Sequence, residues 1–224
     1  MHEILPIVSG TRMPLVMVNV SRGLSAPVNL WPDHNDFLAM RDSGWIMFSC
    51  ETNQEVLDSI IMAYKIAENE KVLLPVLINM DGFIHSYTRT EVDIPSQSLV
   101  DKFLPKLNQK IKLDVNNPQT LGIPVLEHYM FFRSQLHKAT LDSKNIIKRV
   151  HSQWLKLTGR RYDVIERYKL NDAKTAIIMM GANTTIAKSA IDTLRKKGKK
   201  IGLLRIRLVR PFPEKEIQNA LKNI

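Results

Sequence analysis

The chain has 224 residues, a formal net charge of +10 and one cysteine. That length holds one large or two small domains with ample core, and no apolar run approaches the roughly 20 residues of a membrane span. No basic stretch followed by an apolar segment marks a signal peptide, and a single thiol excludes an intrachain disulfide or a cysteine-ligated cluster within the chain.

The charge is unevenly spread. Residues 1–100 hold 6 Lys/Arg against 12 Asp/Glu, a balance of −6, and residues 101–224 hold 26 against 10, a balance of +16. A basic half can signal nucleic acid, but these are mostly lysines on amphipathic helices, without interleaved aromatics or a reading motif. A solvated surface, or docking of an acidic protein, accounts for them better. The six histidines are scattered with no helical i, i+4 pair, so a metal site is unsupported.

In chain order, residues 1–10 read as the end of a helix stopped by Ser9-Gly10. Leu15–Val20 follows as a strand, opening on the wholly apolar run Leu15–Val18, entered through Pro14 and read as buried and parallel. Residues 36–41 fit one short helical turn, and Trp45–Cys50 is a second buried strand that makes Cys50 an inert thiol. Thr52-Asn-Gln-Glu55 has capping-box spacing, in which Thr52 and Glu55 satisfy each other's backbone N–H. The helix it opens carries Val56, Ile60, Ala63 and Ala67 on one face, and Val72–Met80 is a third strand. Strand, helix and strand in alternation imply right-handed crossovers in a parallel sheet.

From about Glu91 to Thr120 the chain is polar and proline-punctuated, a connecting segment. Leu126–Thr158 is helical, with a break expected near Ser143 and Gly159 suited to the C′ position. Thr175–Met180 begins a second α/β unit, Gly181-Ala-Asn-Thr-Thr185 turns it into a helix carrying Ile186, Ala190, Ile191 and Leu194, and Lys200–Val209 is a last strand before a final helix. The expected division is residues 1–95, a linker and helical connection over 96–165, and a second α/β unit over 166–224.

Arg22 stands in the loop after the first strand. Ligands of open α/β sheets bind beyond the carboxyl ends of the strands, and a guanidinium there suits a planar carboxylate. A structural ion pair with Asp33, Asp36 or Asp42 is the commoner fate of such an arginine. Asp33-His-Asn-Asp36 suits acid–base chemistry, or more simply a loop that caps the short helix after it. Gly181-Ala182 offers N–H groups at a helix N-terminus but lacks the glycine-rich phosphate-loop and dinucleotide patterns, so it reads as a tight turn. Asp81-Gly82-Phe83 reads as a strand-end turn, because no other kinase element accompanies it.

Several blocks in order resemble the α-subunit of the pyruvate:ferredoxin oxidoreductase (pyruvate synthase) family. They are Arg22-Gly-Leu-Ser-Ala-Pro27, Asp33-His-Asn-Asp36, Arg41-Asp-Ser-Gly-Trp45, Asn53-Gln-Glu-Val-Leu-Asp58, and Pro75 through Asp81-Gly-Phe-Ile-His-Ser86. Gly159-Arg-Arg-Tyr162, Met180-Gly-Ala-Asn-Thr-Thr185 and Arg207-Leu-Val-Arg-Pro-Phe-Pro213 are similar to that family's second domain. The resemblance covers essentially the whole chain. It implies an α/β fold: the C-terminal part of a pyrimidine-binding parallel-sheet domain, a helical connection, and a partial α/β domain like the C-terminal domain of transketolase.

In function, the resemblance implies oxidation of pyruvate with CoA to acetyl-CoA and carbon dioxide, or the reverse, in a cytoplasmic complex. Thiamine diphosphate and Mg2+ are then shared with a β-subunit, iron–sulfur clusters lie on γ and δ subunits, electrons pass to ferredoxin, and neither nucleic acid nor membrane is a partner. By the family pattern Arg22 approaches the substrate carboxylate. The family's Tyr-Pro-Ile-Thr-Pro loop and activating Glu have no counterpart here, which implies a fragment, a split-gene product or a mis-started frame, inactive alone and with an exposed sheet edge. A relative acting on a branched-chain 2-oxo acid or 2-oxoglutarate, and more distantly a non-catalytic basic binding module, are the other readings.

Overall fold

A computed structural model describes residues 2–108, 112, 114–120, 122 and 127–224. The first unit runs α1 (Ile4–Gly10), β1 (Val16–Ser21), α2 (Asn35–Ala39), β2 (Ile46–Ser49), α3 (Asn53–Ala67), β3 (Val76–Asp81), α4 (Ile84–Tyr87) and α5 (Gln97–Phe103). The chain continues through α6 (Tyr129–Thr158), β4 (Ile165–Tyr168), β5 (Thr175–Met179), α7 (Asn183–Lys196), β6 (Ile201–Ile206), β7 (Leu208–Arg210) and α8 (Glu214–Leu221), with β7 returning to the sheet of the first unit. Leu126, where the sequence begins the long helix, lies outside the described residues. Among the described residues no helix is long and apolar enough to cross a membrane.

The first sheet has the order β1-β3-β2-β7, with β1, β3 and β2 parallel and β7 antiparallel to β2. Its central strand β3 keeps Val76, Leu77 and Ile78 wholly inaccessible, as a strand covered on both faces must. The expectation that β1 is buried in the same way is corrected. It is an edge strand, and Val18 and Val20 are 40% and 47% exposed. An apolar run reports β propensity and apolar surroundings, but cannot tell whether one or both edges are paired.

Helix α3 lays Val56, Met62, Ala63, Ile66 and Ala67 on the sheet, and α6 covers it with Ile146, Ile147, Val150 and Trp154. Trp154 meets Phe103 of α5 edge-on, with ring centroids 4.9 Å apart. No break occurs near Ser143. Helix α6 runs unbroken for 30 residues through Ser143, and the buried Ser143 and Thr140 hydroxyls satisfy themselves on carbonyls of the preceding turn. Gly159 ends it at φ +73°, its N–H donating to the Leu155 carbonyl at 2.8 Å.

The second sheet has the order β4-β6-β5, with β5 parallel and β4 antiparallel to β6. Strand β4 has no counterpart in the sequence reading, since four residues, Ile-Glu-Arg-Tyr, are too few to show a period. The run read as one strand over Lys200–Val209 is two. It changes sheets at Arg207, whose carbonyl accepts from Ser49 N at 2.8 Å while Arg207 N and Leu208 N both donate to Val164 O. Leu203 and Leu204 are buried on one side of the crossing and Leu208 on the other, so hydropathy carries no mark of it.

Half of the expected capping box forms. Thr52 Oγ1 accepts from Glu55 N at 3.1 Å, but the Glu55 carboxylate turns to the Glu51 N–H and to two arginines of the second unit. Thr52→Ala is expected to cost about 1 kcal/mol, read as a shift in the denaturant midpoint without a change in slope.

Candidate functional site

The carboxyl ends of β1 and β3 lie side by side, with Ser21 opposite Asp81 in the parallel register. The next residues, Arg22 and Gly82, therefore stand together at the lip of the sheet. Gly82 N donates to Ser21 O at 2.8 Å, and a Cβ on Gly82 would lie 2.5 Å from that same oxygen. Only glycine permits so close a crossing of two backbones.

Arg22 is exposed, and among the described residues it makes no ion pair; Asp33, Asp36 and Asp42 are engaged elsewhere or face solvent. The loop it opens is closed by Gly23 N donating to Trp31 O at 3.2 Å. Trp31 packs on Phe83 with centroids 4.6 Å apart, and Phe83 on Tyr87 at 5.5 Å. All three rings are more than a third exposed, so an aromatic shelf borders the arginine.

Beneath the shelf, Asn19 Nδ2 donates to Asn79 Oδ1 at 2.8 Å, and Asn79 Nδ2 donates to Ser21 Oγ at 3.3 Å. Asp81, 1% exposed, is the hub. Its Oδ1 accepts from His34 Nε2 at 2.8 Å and its Oδ2 from Ala182 N at 2.7 Å, while its own N–H donates to His85 Nδ1 at 3.0 Å. His85 Nε2 then donates to Glu51 O at 2.8 Å, which fixes its tautomer. Burial raises the Asp81 pKa, but the bonds from His34 and Ala182 outweigh that and hold it below the usual carboxylate range. The bond to Asp81 holds His34 above the ordinary imidazole value, against a smaller lowering by burial.

The sequence reading of Asp33-His-Asn-Asp36 as a hydrogen-bonded loop that caps α2 describes Asp33, whose Oδ1 accepts from Asn35 N at 2.6 Å, but the N-cap residue, His34, makes no side-chain cap bond. It misses His34, which reaches across the sheet. It also misses the role of Asp81, taken as a turn residue. The N-terminus of α7, considered for phosphate, instead receives the Asp81 carboxylate, which accepts from the Ala182 N–H and suits the helix dipole. The repeat of a polar residue at the carboxyl ends of two apolar strands, Asn19 with Ser21 and Asn79 with Asp81, was the signal available.

A second polar cluster joins the units from inside. Glu55, 2% exposed, accepts from Arg205 Nη1 at 2.9 Å and from Arg207 Nε. Arg207 also donates to Ser59 Oγ at 2.6 Å and to His151 Nε2 at 3.0 Å, and Arg205 donates to Glu166 at 2.7 Å. Lys188 bridges Glu51 and Glu166 at 2.7 and 2.6 Å, so three carboxylates balance three cations. An arginine only donates, so His151 accepts and stays neutral; burial, then the Arg207 charge, push its pKa well down. Burial pushes the Cys50 thiol up to about 12, as suits an inert core residue.

Residues 1–152 match the family described as pyruvate flavodoxin/ferredoxin oxidoreductase, thiamine diphosphate-binding, and residues 173–224 match pyruvate:ferredoxin oxidoreductase core domain II. The chain is 42% identical over 224 residues to the pyruvate synthase subunit PorA of Methanothermobacter thermautotrophicus, covering 100% of this chain and 58% of that protein. It is 46% identical over 227 residues to PorA of Methanocaldococcus jannaschii, with the same coverage of 100% and 58%. The ketoisovalerate oxidoreductase subunit VorA of Pyrococcus horikoshii is 39% identical, covering 100% and 57%. A 2-oxoglutarate:ferredoxin oxidoreductase from Magnetococcus marinus, solved with 2-oxoglutarate, coenzyme A and succinyl-CoA bound, shares the fold at a TM-score of 0.65 and 15% identity, over 96% of this chain and 41% of that one. The chain thus spans a little under three-fifths of the curated relatives it matches, 58% of the first two. With matches over both of its α/β units, the chain belongs to the pyruvate flavodoxin/ferredoxin oxidoreductase family.

Proposed function

We propose that this chain forms part of the α-subunit of a pyruvate:ferredoxin oxidoreductase, and that Arg22 holds the substrate carboxylate. Supporting this are the pyruvate synthase relatives and, above all, the position of Arg22: at the strand ends, exposed, and unpaired among the described residues. The reaction is oxidative decarboxylation of pyruvate with CoA to acetyl-CoA and carbon dioxide, or its reverse, with electrons to ferredoxin. The assembly is cytoplasmic, without nucleic acid or membrane as partner.

Thiamine diphosphate is tested against the residues present. The shelf of Trp31, Phe83 and Tyr87 beside Arg22 fits a flat ring, and these side chains would form one wall for its pyrimidine half. Both Asp81 oxygens are engaged by His34 and Ala182, so Asp81 is not free to activate that ring. On the family resemblance, the diphosphate, its Mg2+ and the activating acid are assigned to residues outside this chain. Bound, the cofactor supplies an electron sink for decarboxylation. Arg22 contributes orientation: a bidentate grip on the carboxylate keeps the 2-oxo carbon in line until carbon dioxide leaves. The β-subunit carries the diphosphate half, and the cluster-bearing γ and δ subunits carry the electrons.

In the assembled complex, Arg22→Ala is expected to lower kcat/KM for pyruvate about 30- to 700-fold, the equivalent of about 2–4 kcal/mol, with Arg22→Lys recovering part of it. Unchanged kinetics would remove Arg22 from the site. The VorA relative favours a second reading, a branched-chain 2-oxo acid as substrate. A panel of pyruvate, 2-oxoisovalerate and 2-oxoglutarate on the native complex decides between them.

A further inference from the structure

Taking Arg22 as the carboxylate anchor of the proposed reaction, we infer that His34 and Asp81 form a latch through which the second α/β unit sets the position of the Arg22 loop, so that His34 is a positioning residue for substrate binding. The loop of residues 22–33 starts and finishes on one corner of the sheet. At its start, Arg22 follows Ser21, whose carbonyl accepts from Gly82 N at 2.8 Å; a Cβ on Gly82 would lie 3.7 Å from that of Arg22. At its end, His34 returns to donate to Asp81, the residue before Gly82. Both ends of the loop therefore move with the Asp81–Gly82 corner.

The corner is in turn held from the second unit. The remaining Asp81 oxygen accepts from Ala182 N at 2.7 Å, at the start of the 14-residue helix α7. The turn that presents this N–H has no slack, because a Cβ on Gly181 would lie 2.6 Å from Asp81 Oδ2 and 2.8 Å from His34 Nε2. One carboxylate thus joins three separate segments: the end of the arginine loop, the end of β3 and the head of α7. A displacement of α7 reaches the guanidinium through two hydrogen bonds and one backbone crossing.

The latch has a pH signature. His34 is faced by Asp33 and Asp36 from its own segment and by Asp81 from β3; His85 lies on the far side of Asp81, and α7 contributes its backbone N–H and positive dipole end. The His34 pKa is raised in the folded protein, so the imidazolium's added charge on this bond is fully present below the free imidazole value of about 6.5 and is lost as pH rises through the higher folded value, after which the neutral ring donates from Nε2 with less strength.

The test uses the assembled complex containing this chain, with KM measured for pyruvate and for CoA across pH, and amide exchange measured over residues 22–33 and 181–185. His34→Ala is expected to raise KM for pyruvate about 10- to 100-fold, the scale of a small misplacement of a binding group, with KM for CoA within about twofold. His34→Gln keeps an N–H to donate; it should recover most of that loss but abolish the rise of KM at higher pH. Asp81→Asn should speed exchange at Ala182 and in the loop together. The inference is overturned if His34→Ala leaves loop exchange and KM for pyruvate as in the wild type, or if both KM values rise together with no change in loop exchange. If Arg22→Ala leaves KM unmoved while His34→Ala still loosens the loop, the anchor role of Arg22 falls and the latch stands.

Discussion

Glu55→Ala is expected to destabilise the protein by about 3–5 kcal/mol, the range seen when one partner of a buried ion network is removed. Among the described residues, Arg207, 1% exposed, would lose its only carboxylate partner, and Arg205, 4% exposed, one of three. Neither can shed its proton, and the His151 ring that faces Arg207 is neutral and brings no charge of its own. The loss exceeds that of a surface pair because water cannot reach the orphaned guanidinium. Equilibrium denaturation reads the effect directly; a midpoint within experimental error of the wild type would mean that the cluster is solvated. Glu55→Gln keeps the shape while removing the charge, and should fall between.

The same group makes stability depend on acid. Burial raises the Glu55 pKa, but Arg205 and then Arg207 pull harder, and the net value is lowered. A depressed carboxyl contributes its stability above the unfolded pKa of about 4.3 and loses it as pH falls through the lower folded value. Unfolding of the wild type should therefore steepen below pH about 4, and the Glu55→Gln variant should lack that component. Titration of denaturant midpoints between neutral pH and pH about 3 compares the two.

How legible these features were depended on what each asks of its neighbours. Strands β2 and β3 and helices α3 and α7 announce themselves, because continuous burial or a single apolar stripe is local and periodic. The change of sheet at Arg207 is not local. It is caused by Val164 and Ser49 taking the backbone groups on either side, and those residues are far away in sequence. Glu55 shows the same limit at one position: its spacing from Thr52 is that of a capping box, yet two buried cations compete for the carboxylate and win. Edge and centre were confused in β1 for a related reason, since pairing partners are a property of the sheet and not of the strand.

For the candidate site, residue type pointed to Arg22 as one of two outcomes, and the ion pair that was the commoner outcome does not form among the described residues. Asp81 and His34 were read as turn and loop residues because their partners are 47 residues apart, and Ala182 is a further 101 beyond Asp81. The head of α7 was read as a tight turn rather than an anion site, yet it does meet an anion. Its anion is a side chain of the same chain.

Gly181→Ala is expected to destabilise the protein through backbone strain and a steric clash together. Gly181 has φ +77°, a conformation that costs an L-residue about 1–2 kcal/mol. The new Cβ would also fall 2.6 Å from Asp81 Oδ2 and 2.8 Å from His34 Nε2, and neither is the loose end of a flexible chain, since Oδ2 accepts from Ala182 N and His34 Nε2 donates to Asp81 Oδ1. Relief requires giving up a charge-assisted bond worth about 1.5–3 kcal/mol, for a total of about 3–5 kcal/mol and a fall in Tm on the order of 10 °C. Gly198 separates the two contributions. It has φ +80° but nothing within 4 Å of its would-be Cβ, so Gly198→Ala should cost the backbone part alone. If thermal melts of the two variants coincide, Asp81 does not hold the head of α7. If Gly181→Ala melts well below Gly198→Ala and also speeds amide exchange across residues 22–33, the strain has travelled from the second unit to the arginine loop through that carboxylate.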